Sequence, residues 1–314
     1  MSAMTAATTT RPDNPPKPAT LAEEGRRLGL RMTLPTQILI LFIAVFPLLM
    51  QIYISLTDWS PLDGVSWVQA YDSWNGFANF VDLIQDTRLW AALKRTFLVM
   101  IVCVPAQFFL ALGLAVLFID NFIGKRLFYS ILLTPMMVVP SVAGYMFFML
   151  FQSGGPINGL ISGLTGFDVS IAWLSDPNLA LIAVMIADVW QWTPLMFLIL
   201  LAGLIGVPED QLRAATLLGA SWWQRFVTIM LPRIKIVIVI ALAIRVVEIF
   251  KIFDTLYVMT GGGPGVATET ISVYIYKITT QDLTWAYVAA IALFILITLS
   301  IVANMGLRRI ARRS

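Results

Sequence analysis

The sequence predicts an all-α integral membrane protein with six transmembrane helices and both termini cytoplasmic. Three observations carry this expectation. Hydrophobic residues make up 59% of the 314-residue chain and charged residues only 12%, a balance foreign to soluble domains. Six apolar runs reach the length of about 20 residues that a bilayer-crossing helix needs. Lys and Arg gather at alternate ends of those runs. Lipid offers the backbone no partner but the helix itself, and barrel strands would be short and alternating.

The elements follow in order. Residues 1–31 read as a disordered cytoplasmic tail, because Met1 to Thr20 is polar and lacks the apolar centre of a cleavable signal. Ala22 to Met32 has helical periodicity with basic residues. It reads either as an interfacial helix or as the solvated start of the first crossing. The transmembrane domain, residues 32–307, holds the runs Leu34 to Leu56, Ala92 to Ile119, Leu127 to Phe151, Leu179 to Ile205, Ile236 to Met259 and Ala286 to Gly306. Residues 57–91 are expected to form an outer cap of short helices, residues 207–234 a cytoplasmic loop, and residues 260–285 an outer loop opening on Gly261, Gly262, Gly263 and Pro264. Residues 308–314 form a basic cytoplasmic tail. Pro47, Pro105, Pro135, Pro140 and Pro194 fall inside crossings and are candidates for kinks.

Cation placement sets the orientation. Arg11, Lys17, Arg26, Arg27 and Arg31 precede the first run; Lys125 and Arg126 lie in the second connection. Arg213, Arg225, Arg233 and Lys235 lie in or beside the fourth, and Arg308, Arg309, Arg312 and Arg313 end the chain. The third connection has no cation and the fifth only Lys277. The formal charge of +3 is thus dispersed among membrane ends, which speaks against nucleic acid as a partner. Histidine is absent, so His-based metal sites and Ser-His-Asp triads are excluded. Cys103 is the one cysteine and reads as a small buried hydrophobe. Gly124-Lys125 lacks the upstream glycine and following hydroxyl of a P-loop, so no nucleotide cofactor is expected on this chain.

Polar groups inside apolar runs are the candidate pathway residues, since membrane charges face cavities or each other. Arg245, Glu248, Lys251 and Asp254 alternate in sign at steps of three. On one helix each step drifts about 60°, so the series would wind around it. Asp188 falls at a depth similar to Arg245, and either pairs with it or lines the pathway beside it. Trp190-Gln191-Trp192 offers aromatic faces and an amide suited to sugar rings and hydroxyls; packing against neighbouring helices is the alternative. Gln107 is a further polar candidate.

The cytoplasmic segment Glu209 to Pro232 is polar and helix-prone between two apolar runs. Glu209 and Asp210 suit a helix N-terminus. Ala214, Ala215, Leu217 and Leu218 give a compact apolar face, and Gly219 permits a turn. Such a helix is shaped either to dock in another protein's cleft or to pack on its own bundle.

The spacing of Ala214, Ala215, Gly219, Ile229, Leu231 and Pro232 resembles the "EAA" loop of permease subunits in binding-protein-dependent ABC importers. That pattern reads Glu-Ala-Ala, three residues, Gly, nine residues, Ile, one residue, Leu-Pro; Arg213 stands where the family usually has Glu. The stretch from Arg245 through Phe253-Asp254 and Gly261 to Thr268-Glu269-Thr270 resembles the MalF/UgpA-like carbohydrate branch, and the likeness spans roughly Leu34 to Leu307. The resemblance implies a type I importer permease fold in the bacterial cytoplasmic (inner) membrane, working by alternating access. It implies coupling through Glu209, Asp210, Arg213, Ala214, Ala215, Gly219, Leu231 and Pro232, and a loop around Gly261–Pro264 that faces a binding protein. It further implies four kinds of partner: a second homologous permease, two ABC ATPase subunits, an extracytoplasmic sugar-binding protein and membrane lipid. ATP and Mg would sit on the ATPase, and this chain would not be an enzyme. An ion-coupled secondary transporter, or an importer of a non-sugar solute such as glycerol phosphate, is the alternative.

Overall fold

A computed structural model describes residues 21–311, with side-chain surroundings for 28–301. The expectations for residues 1–20 and 312–314 lie outside the described residues. The described chain is helical. In order it runs α1 (Leu21–Ser55), α2 (Ala78–Gln85), α3 (Thr87–Leu117), α4 (Lys125–Met137), α5 (Pro140–Leu150), α6 (Pro156–Thr165) and α7 (Pro177–Ile205). There follow α8 (Glu209–Leu217), α9 (Trp222–Arg225), α10 (Leu231–Arg233), α11 (Lys235–Phe250), α12 (Asp254–Thr260), α13 (Ile271–Thr280) and α14 (Trp285–Ala311).

Local chemistry sets the boundaries. Asp86 caps α3 by accepting from the N–H groups of Arg88 and Leu89 at 2.9 and 3.0 Å. Asp176 does the same for α7, where Pro177 occupies the first turn. Ser221 and Gln224 form a reciprocal capping box that starts α9. The segment 22–32 is continuous with the first apolar run in α1.

Three helices are single spans by length and composition: α1, α3 and α7. The third and fifth apolar runs depart from the expectation of continuous helices. The third breaks between α4 and α5, which meet at 98°. Pro140 causes this: it lacks an N–H and holds Val139 extended, with ψ of 134°. Pro47, Pro105, Pro135 and Pro194 remain inside continuous helices. The fifth run begins just past a 65° bend where α9–α10 meets α11, stops at Phe250 and restarts as α12 at Asp254. The alternating charges therefore do not wind around one helix.

The α3–α7 pair is the spine of the bundle. Toward one end, Ala111, Ala115 and Phe118 of α3 pack with Met196 to Leu204 of α7 and with Phe226, Met230 and Ile234 beyond α9. Toward the other, Leu89 to Leu93 pack with α13 and Ile291 of α14. A third cluster joins α5, α7 and α12. Gly144 of α5 lets α12 approach closely, since a Cβ there would lie 2.9 Å from the Val258 side chain. By contrast α1 packs mainly on α14. Its residues Ile38 to Ile43 are each 58–63% exposed on every face, as suits contact with lipid.

Candidate functional site

The break between α11 and α12 opens a cavity of about 310 Å³ lined by Pro140, Asp188, Trp192, Arg245, Glu248, Lys251, Ile252, Phe253, Asp254 and Thr255. Irregular backbone at membrane depth is tolerated where it lines such a space. Arg245 projects from α11 and is 2% exposed. Its Nη2 donates to Asp188 Oδ2 at 2.9 Å and its Nε to Gln107 Oε1 at 2.7 Å. Gln107 Nε2 in turn donates to Asp188 Oδ2 at 2.8 Å and to the Asp188 carbonyl at 3.2 Å. The Trp192 ring lies 5.3 Å from the guanidinium carbon, a cation–π contact. The triad thus ties α3, α7 and α11 together through mutually hydrogen-bonded polar groups, which offsets the cost of burying the charges.

The structure brings most pathway candidates to this place. Gln107, Asp188, Arg245 and Trp192 form the buried floor, while Glu248 and Lys251 pair at 3.1 Å on its exposed side. Two candidates go elsewhere. Trp190 packs edge-on against Phe147 in the α5–α7–α12 core, at 5.3 Å between ring centres. Gln191 is buried and donates to the Val138 carbonyl at 2.9 Å, while Thr255 donates to its Oε1 at 3.2 Å and to the Pro140 carbonyl at 3.1 Å. Gln191 and Thr255 replace backbone bonds lost at the α4–α5 break. Trp190 and Gln191 are thus engaged away from the cavity, and of the Trp-Gln-Trp run Trp192 alone lines it.

A second polar centre was not assigned from the sequence. Glu269 is fully buried at the end of the outer loop. Arg88 holds it with two parallel bonds of 2.9 Å, Lys277 Nζ adds one at 3.1 Å, and Arg95 donates to its carbonyl at 2.8 Å. Burial pushes the Glu269 carboxyl up, but the bonds from Arg88 and Lys277 outweigh it and hold it below the usual carboxylate range. Asp86 behaves alike: burial raises it, and bonds from Tyr274, Tyr287 and two backbone N–H groups bring it lower. Gly262 sits under Lys277, where a Cβ would come within 2.9 Å of Nζ. The loop Gly261, Gly262, Gly263 and Pro264 is thereby fixed against the start of α3. The available signals were an Asp directly before a helix and the lone acid of Thr268-Glu269-Thr270.

At the opposite end, α8 and α9 stand out from the bundle. Leu217 and Leu218 are 89% and 88% exposed, and Gly219 turns the chain with φ of +83°. Arg213 pairs with Glu209 one turn earlier, both exposed; Asp210 and Ala214 are exposed and Ala215 is half-buried. Trp222 stacks on Phe226 at 5.2 Å. Leu231 and Pro232 follow a π-helical turn at Phe226–Met230 that leads into α10.

Residues 89–314 match the family described as binding-protein-dependent transport system inner membrane component. The chain belongs to that family. A trehalose transport system permease protein of Mycobacterium tuberculosis is 34% identical over 251 residues, covering 79% of this chain and 78% of that protein. A sulfoquinovosyl glycerol transport system permease protein of Agrobacterium fabrum is 33% identical over 288 residues, 91% of each. A probable ABC transporter permease of Sinorhizobium fredii is 33% identical over 286 residues, covering 87% and 90%. The fold is that of a chain in the crystal structure of a bacterial alginate ABC transporter bound to its periplasmic protein, with TM-score 0.76 and 21% identity over 93% of this chain and 98% of that one. Family membership places the chain among inner-membrane transport components.

Proposed function

We propose that this chain is the pore-forming permease subunit of an ATP-driven importer for a carbohydrate, an oligosaccharide, monosaccharide or polyol. The observation that carries the reading is the exposed α8–Gly219–α9 segment. Its apolar tip, Leu217 and Leu218, has no packing role in this chain, and an apolar knob in water calls for a partner's cleft. The partner is an ABC ATPase, present in two copies and carrying the ATP and Mg. Relatives named for trehalose and for sulfoquinovosyl glycerol support the carbohydrate class. The chain crosses the bacterial inner membrane six times, α4–α5 and α11–α12 each counting once, with both termini cytoplasmic. A second homologous permease completes the pathway, and a loaded sugar-binding protein docks at the outer cap and the clamped Gly261–Pro264 loop.

Alternating access follows from coupling at the two ends. Closure of the ATPase dimer moves α8 and α9; the bent pairs and the α11–α12 break let helices move as rigid bodies. The coupling works only if the two states bind substrate with different free energy. The test is gentle purification from native membranes with mass spectrometry of what accompanies the chain. Recovery of a second permease and a P-loop ATPase supports the proposal. A lone chain whose uptake ignores ATP and collapses with the ion gradient would overturn it in favour of secondary transport.

A further inference from the structure

We infer that the cavity at the α11–α12 break admits an uncharged saccharide and rejects anionic ones, with Asp254 as the specificity-determining residue. The inference rests on the cavity being the substrate pathway. Its lining carries three carboxylates, Asp188, Glu248 and Asp254, against two cations, Arg245 and Lys251. Both cations are engaged. Arg245 gives Nε to Gln107 and Nη2 to Asp188, and one face of its guanidinium meets Trp192. The Nε–Nη2 edge is therefore occupied, and the side chain is only 2% exposed, so little of the guanidinium is offered to a carboxylate, sulfonate or phosphate. Lys251 is bonded to Glu248. Of the three lining carboxylates, Asp254 alone has no ion-pair or hydrogen-bond partner among the described residues.

An anion entering here must displace an existing acceptor or sit beside a free negative charge. Discrimination of this kind comes from the repulsive element as much as the attractive one. A neutral ring meets no such repulsion. Its hydroxyls find acceptors in Asp254 and Glu248, and its apolar face finds the aromatic lining of Trp192 and Phe253. At separations of about 6 Å in partly hydrated surroundings, one uncompensated charge gives selectivity on the order of tenfold.

The test uses the complete transporter in lipid nanodiscs, without its external binding protein. Trp192 fluorescence, defined by difference from Trp192→Phe, is titrated with neutral mono- and disaccharides including trehalose, and with glucuronate and glucose 6-sulfate. The expected result is a neutral-over-anion preference of about tenfold or more, reduced several-fold in Asp254→Asn and kept in Asp254→Glu. Anions binding as well as neutral sugars, or an unchanged ratio in Asp254→Asn, would overturn the inference and leave the transport reading standing. Silence from both classes, with uptake of the best sugar intact, would remove the cavity from the pathway and the inference with it.

Discussion

Replacing Asp188 by Leu leaves the Arg245 guanidinium, 2% exposed, without its anion and Gln107 Nε2 with only the main-chain carbonyl at position 188 to bond. Breaking one side of a buried pair costs about 3–5 kcal/mol, because the surviving charge stays buried and uncompensated. Arg245→Met orphans Asp188, 3% exposed, at a similar cost. The double variant Asp188→Leu/Arg245→Met removes both charges and fills similar volume, so its loss should fall to about 1 kcal/mol or less. The coupling energy is then about 5 kcal/mol or more, above the range of about 0.5–3 kcal/mol usual for residues sharing one network, because each single variant strands a buried charge. The assay is reversible unfolding in mixed micelles followed by tryptophan fluorescence. There the singles should shift the folding equilibrium by about two to three and a half decades. Singles costing less than about 1 kcal/mol, or a double no better than the worse single, would refute the pairing and with it the anchoring of α3, α7 and α11.

Three further outcomes follow. Glu269→Gln should weaken the outer clamp by about 2–3 kcal/mol, lowering stimulation of ATP hydrolysis by loaded binding protein while basal hydrolysis persists; unchanged stimulation would contradict its positioning role. Because its folded pKa is depressed, the Glu269 contribution is complete above the ordinary carboxylate range and disappears as pH falls through the depressed folded value; stability of wild type against Glu269→Gln across acid pH checks this. Gly203→Val should cost about 1–3 kcal/mol, since a Cβ there lies 3.0 Å from Val237 Cγ1, with partial recovery in Gly203→Val/Val237→Ala as read by thermal unfolding. Gly219→Asp should uncouple ATP hydrolysis from uptake with the membrane fold intact, whereas normal uptake would exclude the proposed docking turn.

Apolar length and charge alternation made the crossings legible, because lipid permits little else than a helix. Pro140 was visible as a kink, but not that its neighbours would be rescued by Gln191 and Thr255, since those partners come from other helices. Asp188 and Arg245 were paired by depth alone, which is readable when charges are so scarce. Trp190 and Trp192, two residues apart, face different surroundings, so their roles needed the rotation of α7. Glu269 was unreadable as a clamp because Lys277 alone of its partners is near in sequence, while Arg88, which holds its carboxylate with two bonds, lies far off in the chain. The exposure of Leu217 and Leu218 was foreshadowed by Gly219, a left-handed turn that stops α8 short of the bundle.

The unbroken length of α3 gives the molecule a lever. Arg88 and Gln107 are 19 residues apart on it, roughly 28 Å at about 1.5 Å per residue, and Ala111 to Phe118 continue it toward the cluster that includes Phe226 and Met230. A tilt of about 5° pivoting on the buried triad would carry Arg88 by about 2.5 Å, more than a hydrogen bond survives. The outer loop must therefore travel with α3 or let go of it. A spin-label distance between Arg88 and Gly265 positions that stays constant through the ATP cycle would mean that the mouth and the lever are one mechanical part.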